Sequence, residues 1–108
     1  MSALDFHVLL VLASGDLYGY AIMKAVEEHS RGAVAPEIGS LYRVLARLMG
    51  DGFVREAEAP PSAEDAHPGR PRRYYGITAA GRQALHAESD RLRHALALAR
   101  RVLPEARG

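Results

Sequence analysis

Residues 36–52 read PEIGSLYRVLARLMGDG, and this stretch decides the fold. Pro36 has the fixed φ that suits the start of a helix. Leu41, Leu45, Leu48 and Met49 then recur at the three- and four-residue steps that place side chains on one helical face. Gly50-Asp51-Gly52 stops the run. The spacing predicts a helix with a buried stripe, and the same geometry turns Ser40, Arg43 and Arg47 to the opposite side with Tyr42 on the flank. Long donors on the open side of a helix whose other side is locked in a core are what base-edge reading in a DNA groove needs. Taken alone, the helix also fits an ordinary surface with two solvated arginines.

On the N-terminal side, Leu4 to Ser14 is apolar nearly all round and ends at Gly15-Asp16, which predicts a short helix buried on most sides, with a fully buried strand as the lesser reading. From Tyr18 to Ser30 the positions Tyr18, Ile22, Ala25, Val26 and His29 recur at helical spacing, with Lys24, Glu27 and Glu28 on other faces. That second helix is closed by Gly32 and joined to the third by a few residues rich in Gly, Ala and Pro. On the C-terminal side the period changes. Phe53 to Ala57 and Arg72 to Ile77 are short β-branched or aromatic runs separated by Pro60-Pro61 and Pro68-Gly69, so they predict a two-stranded hairpin with a loop. Strand alternation is expected to send one of Tyr74 and Tyr75 inward and the other outward.

Thr78 takes an N-cap position, and a helix follows from about Ala79 to Leu103, with Leu85, Ser89, Leu92, Leu96, Ala99 and Leu103 as its stripe. At 1.5 Å per residue it is roughly 37 Å long and projects beyond a domain this small, so the stripe needs a partner surface. The expected partner is a second copy of the chain. The order of elements predicts an α+β, mostly helical architecture. A winged helix-turn-helix of three helices and a two-stranded wing spans 1–77, and a C-terminal dimerisation helix spans 78–108.

The 108 residues are 48% hydrophobic and 25% charged, which fits one soluble domain with a sizeable core. The chain has no cysteine, which excludes a disulfide scaffold, a thiolate nucleophile and cysteine-ligated zinc, and makes a reducing cytoplasm the natural setting. The longest apolar run, Val8 to Ala13, is short of the roughly 18 residues of a membrane span. It follows Asp5, not a basic segment, and so does not read as a signal peptide. The formal net charge of +1 hides an uneven distribution: residues 56–69 carry four acids and no base, whereas 70–82 hold Arg70, Arg72, Arg73 and Arg82 and no acid. Arginine pairs bidentately with phosphate and guanine. At the tip of the wing, Arg70, Arg72 and Arg73 are placed to reach phosphates or an adjacent minor groove of double-stranded DNA.

Four motifs in order carry a family resemblance: Tyr18-Gly19-Tyr20-Ala21-Ile22; Gly39-Ser40-Leu41-Tyr42-Arg43-Val44-Leu45-Ala46-Arg47-Leu48; Gly52-Phe53-Val54; and Arg72-Arg73-Tyr74-Tyr75-Gly76-Ile77-Thr78-Ala79-Ala80-Gly81. From about Phe6 to Leu98 the chain resembles the PadR family of bacterial transcriptional regulators, and its single terminal helix is similar to the short subfamily that dimerises through that helix. The resemblance implies a DNA-binding repressor. By it, Ser40, Tyr42 and Arg43 lie in or beside the major groove, Tyr20 and Lys24 lie near the backbone, and the wing arginines make flanking contacts. It further implies an apolar or aromatic small-molecule effector between the first and last helices, which Leu4, Val8, Val11, Leu92 and Leu96 would line; plain dimer core, with Leu85 and Leu103, is the simpler reading of these residues.

For Tyr42, geometry and resemblance together favour a hydroxyl donated to phosphate over a core-edge tyrosine with a wet tip. Gly19 reads as a site of close helix packing. His86, Asp90 and His94 share a helix face at workable metal-ligand spacing, but Arg93 and Arg101 on that face would repel a cation, and no metal is expected. His7 reads as a core or interface residue. Ser40 has no neighbouring histidine in sequence, and no glycine-rich phosphate loop occurs, so neither catalysis nor a cofactor is expected. The competing reading from another class is a protein-interaction module whose arginine wing docks an acidic partner.

Overall fold

The computed structural model describes residues 1–60 and 73–104. Its elements are α1 (Ala3–Leu12), β1 (Leu17–Tyr18), α2 (Gly19–His29), α3 (Ile38–Gly50), β2 (Val54–Ala57), β3 (Tyr74–Ile77) and α4 (Ala79–Val102). Ser2 starts α1 with a capping box: its side chain accepts from the Asp5 backbone N–H and the Asp5 carboxylate accepts from the Ser2 N–H. Val8, Leu9, Val11 and Leu12 are all buried, so α1 is a central helix with α2, α3, α4 and β3 packed around it. α3 begins at Ile38, after Pro36 and an extended Glu37 at the N-cap, slightly later than the proline alone predicts.

The strands form a three-stranded antiparallel sheet in the order β1-β3-β2. β2 meets β3 in the register Val54↔Ile77 to Ala57↔Tyr74, as expected of the hairpin. β1 is an addition: Leu17 and Tyr18 pair with Tyr75 and Tyr74 on the other edge of β3. Because of β1, both tyrosines are buried, at 7% exposure for Tyr74 and 3% for Tyr75, where sequence alternation had one of them facing out. They do point to opposite sides, but the Tyr18 ring covers Tyr74 edge-on at 5.7 Å between centroids, while Tyr75 joins the main core.

That core comprises α1, Ile22 and Val26 of α2, Leu41, Leu45 and Leu48 of α3, and Val54, Tyr75 and Ile77 of the sheet. Val8 and Val11 are 0% and 2% exposed within one chain, which removes them from the expected dimer or effector lining. Leu4 and Leu85 are partly buried against the same core. His29 is exposed, not on the apolar side of α2 as its spacing suggested; it is the last residue of the helix, whose buried side ends at Val26.

α4 is spliced onto the sheet at its first turn. Thr78 Oγ1 accepts from the Gly81 N–H at 2.9 Å and donates to the Gly52 carbonyl at 2.6 Å, while the Thr78 N–H donates to the Phe53 carbonyl at 3.0 Å. A Cβ on Gly81 would overlap the Phe53 carbonyl oxygen, so the approach requires glycine. Arg82 donates to the Ala13 carbonyl at 3.2 Å beyond the end of α1. Leu85 and the buried Glu88 still lie against the body; farther on, Leu92, Leu96, Leu98 and Val102 of α4 and its C-cap Leu103 are 39% to 68% exposed. Among the described residues no helix is long and apolar enough to cross a membrane.

Candidate nucleic-acid interface

Burial of Leu41, Leu45 and Leu48 at 0–1% exposure fixes how α3 is rotated, and its outward face carries Tyr42, Arg43, Ala46 and Gly39. The Arg43 guanidinium folds back along the helix and donates from Nη2 to Ser40 Oγ at 3.1 Å, with Nη1 lying over Gly39. Its remaining N–H donors are thereby held at the first turn of α3. Tyr42 reaches across to α2. A Cβ at Gly19 would stand 2.7 Å from the Tyr42 hydroxyl, so it is the bare glycine that lets the ring lie against the start of α2 while remaining 45% exposed. Tyr42 also lies near Tyr75, whose hydroxyl is raised above its ordinary pKa mainly by burial and further by Tyr42, against a lowering bond from Arg73.

The N-cap residue of α2 makes no side-chain capping bond, so the N-terminal amide groups of the helix and the Tyr42 hydroxyl form a donor-rich patch suited to an anion. One step along, Tyr20 is 50% exposed and carries the Lys24 ammonium 5.5 Å from its ring centroid. Structure thus brings Tyr20, Tyr42, Arg43 and Ser40 to the adjoining starts of α2 and α3, with Lys24 beside Tyr20.

Arg47 is a correction. The sequence reading puts it with Ser40 and Arg43; in the structure its Nη2 donates to Asp5 Oδ1, and its Nη1 is 4.0 Å from Asp51. Asp5 is a buried carboxylate. Burial opposes its ionisation, but bonds from Arg47 and Ser2 outweigh this and hold it below the usual carboxylate range. Arg47 therefore ties α3 to α1 and is committed away from the open face.

The basic segment is also divided. Arg73 is exposed but sits 3.7 Å from Glu56 of β2. Arg82 is spent on the Ala13 carbonyl, and Arg70 and Arg72 lie outside the described residues. Arg55, which sequence reasoning did not single out, pairs with Asp16 at 3.5 Å across the bare backbone of Gly76.

At the other side of the molecule α1 and α4 enclose a cleft of about 360 Å³, lined in part by Phe6, His7, Glu88, Arg91 and Leu92. Arg91 donates to both Glu88 oxygens at 2.7 and 2.8 Å, which lowers the Glu88 pKa. His86, Asp90 and His94 are exposed on α4, with Asp90 3.1 Å from Arg93. Among the described residues no three His, Cys, Asp or Glu side chains are grouped to hold a metal ion.

Comparison with known proteins bears on the family and the fold. The profile of the "Transcriptional regulator PadR-like family" matches residues 8–87. A protein of 37.1 kDa from a Streptomyces fradiae transposon is 42% identical over 82 residues, 76% of this chain but 21% of that protein, so the chain spans about a fifth of that relative's length. A PadR family transcription regulator from Clostridium difficile superposes with a TM-score of 0.77 at 21% identity, over 95% of this chain and all of that one. Bacillus subtilis PadR, solved in complex with operator DNA, superposes with a TM-score of 0.65 at 20% identity, over 99% of this chain and 51% of that one. At these identities the two structures establish the shared fold.

Proposed function

Because the chain belongs to the PadR-like family of transcriptional regulators, we propose that it is a sequence-specific DNA-binding repressor that grips a pseudo-palindromic operator as a homodimer. The observation that carries the reading is the composition of the outward face of α3. Its buried leucines fix its rotation, Ser40 holds Arg43 at the first turn, and Gly19 seats Tyr42 beside the start of α2. Arg43 is the base-reading residue, by bidentate bonds to guanine, and Ser40 shares that edge. Tyr42, Tyr20 and Lys24 take phosphates, and Arg73, with Arg70 and Arg72 of the wing, makes flanking contacts. Two reading heads joined through the exposed leucines of α4 would enter major grooves about 34 Å apart, or a multiple of that. An apolar effector is assigned to the α1–α4 cleft, where Phe6, His7 and Leu92 come together.

Fluorescence anisotropy tests this directly. A duplex from upstream of the protein's own coding sequence is compared with a scrambled duplex at two salt concentrations. The expected result is a preference of roughly a thousandfold, falling steeply with salt. Arg43→Ala is expected to remove roughly tenfold or more of that preference and to leave binding to the scrambled duplex nearly unchanged, since a bidentate base contact is worth about 1–3 kcal/mol. Equal losses on both duplexes would assign Arg43 to the phosphates instead. The acidic-partner reading is the weaker one, because it uses the wing alone and leaves Arg43 and Ser40 on the outward face of α3 without a role.

A further inference from the structure

We propose that Ile38 is a specificity-determining residue, whose side chain packs on the 5-methyl group of a thymine in the major groove. This rests on the reading of α3 as the helix that enters the groove. Ile38 is the first residue of α3 and is 41% exposed, whereas Ile22, Val8 and Val26 are all at 0%. It takes no part in the core, so its aliphatic surface is left in water at the end of the helix that a helix-turn-helix presents to base edges.

Two neighbours indicate what it faces. Glu37, at the N-cap, is exposed and makes no capping bond with its side chain, so a phosphate approaching this end of α3 would meet a carboxylate. On the other side, Ser40 draws the Arg43 guanidinium back to the same turn. The first turn of α3 therefore presents an aliphatic group and a fixed cation side by side, next to an acid that disfavours the DNA backbone. In the major groove, guanine offers the acceptors an arginine reads, and thymine offers the one methyl group. Arg43 Nη1 lies over Gly39, the residue that follows Ile38, and neighbouring Cα atoms are about 3.8 Å apart, close to one base-pair step of about 3.4 Å. The thymine is therefore assigned to the base pair next to the guanine that Arg43 contacts.

The test removes the methyl group alone. Duplexes that the intact protein retains are enriched from a random pool, and each thymidine in the enriched site is replaced in turn by deoxyuridine, which keeps the pairing. One thymidine per half-site, adjacent to the guanine, is expected to weaken binding about fourfold when replaced, the loss equivalent to one buried methyl-sized group. Ile38→Ala is expected to bind the thymidine and deoxyuridine duplexes alike while keeping its preference for the guanine. Because Ile38 is exposed, this variant should melt with the parent, which thermal denaturation verifies. If no thymidine is sensitive, or if Ile38→Ala stays as sensitive as the parent, the assignment is overturned and the reading of α3 survives. If the pool yields no enriched sequence, the DNA-reading function falls and takes the assignment with it.

Discussion

Leu41, Leu45 and Leu48 of α3 and Leu92 and Leu96 of α4 recur on one face of their helices, yet the first three are 0–1% exposed and the second two 39% and 51%. Helical spacing states that a face needs cover without stating what supplies it. For α3 the cover is local: the Gly50-Asp51-Gly52 turn sends the chain back as β2, so α1, α2 and the sheet close over the leucines. For α4 the body ends first. Its anchored turn lies against Phe53 and Ile77, and beyond Leu85 its stripe passes out of reach of the core. A second copy of the chain is the cover proposed for that stripe.

The contrast is sharpest in a pair of truncations. Leu45→Ala is expected to cost about 2–5 kcal/mol in urea unfolding, with the denaturant slope unchanged, because it empties a closed core. Leu96→Ala should leave the unfolding of the isolated chain within about 0.5 kcal/mol of the parent and instead reduce the rise of the melting temperature with protein concentration. A concentration-independent melt in the parent would remove the proposed dimer.

Next in size is the tie between α1 and α3. Asp5→Asn is expected to cost about 1 kcal/mol at neutral pH, a modest figure because Arg47 remains half in water. The pKa of Asp5 is lowered by folding, so its contribution is fully present above the ordinary value of 3.8 and is lost as pH falls through the lowered folded value. Stability curves of parent and variant should therefore converge below about pH 4; a gap that stays constant into acid would mean that the pair contributes packing and not charge.

The smallest effect on stability concerns the helix starts. Gly19→Ala places a methyl group where the Tyr42 hydroxyl lies, and the exposed ring has room to swing away. The melting temperature should hardly change, while affinity for every duplex drops about fivefold, the equivalent of one hydrogen bond of roughly 1 kcal/mol. Tyr42→Phe with the same loss, and no further loss in the double variant, would assign both effects to the hydroxyl.

Much of this was legible in the residues. The α3 stripe, the hairpin, the Thr78 cap and the span of α4 all follow from periodicity and local capping chemistry, and the close contact at Gly19 follows from a bare backbone at a helix start. What escaped depends on contacts distant in sequence. β1 is two residues long and carries no period, so its covering of Tyr74 could not be read. Val8 and Val11 look like any apolar residues of an early helix until the other elements are arranged around them. Arg47 has the spacing of a groove-facing arginine, but its partner Asp5 is 42 residues away, and the capping box that announces Asp5 says nothing about a second bond. At the proposed reading face, the sequence named Ser40, Tyr42 and Arg43; the bond that draws Arg43 toward Ser40 emerged from the fold.

The hydroxyl of Thr78 joins the cap of α4 to the turn that ends α3, and this makes α4 a lever with its fulcrum at the proposed reading head. The helix has 24 residues and so an arm of about 36 Å. A swing of about 5° at the fulcrum carries the far end through about 3 Å, roughly one base-pair step. Small adjustments among the outer leucines of the proposed seam would be correspondingly geared down at the head, ångströms at the seam becoming only a few degrees in the angle presented to DNA.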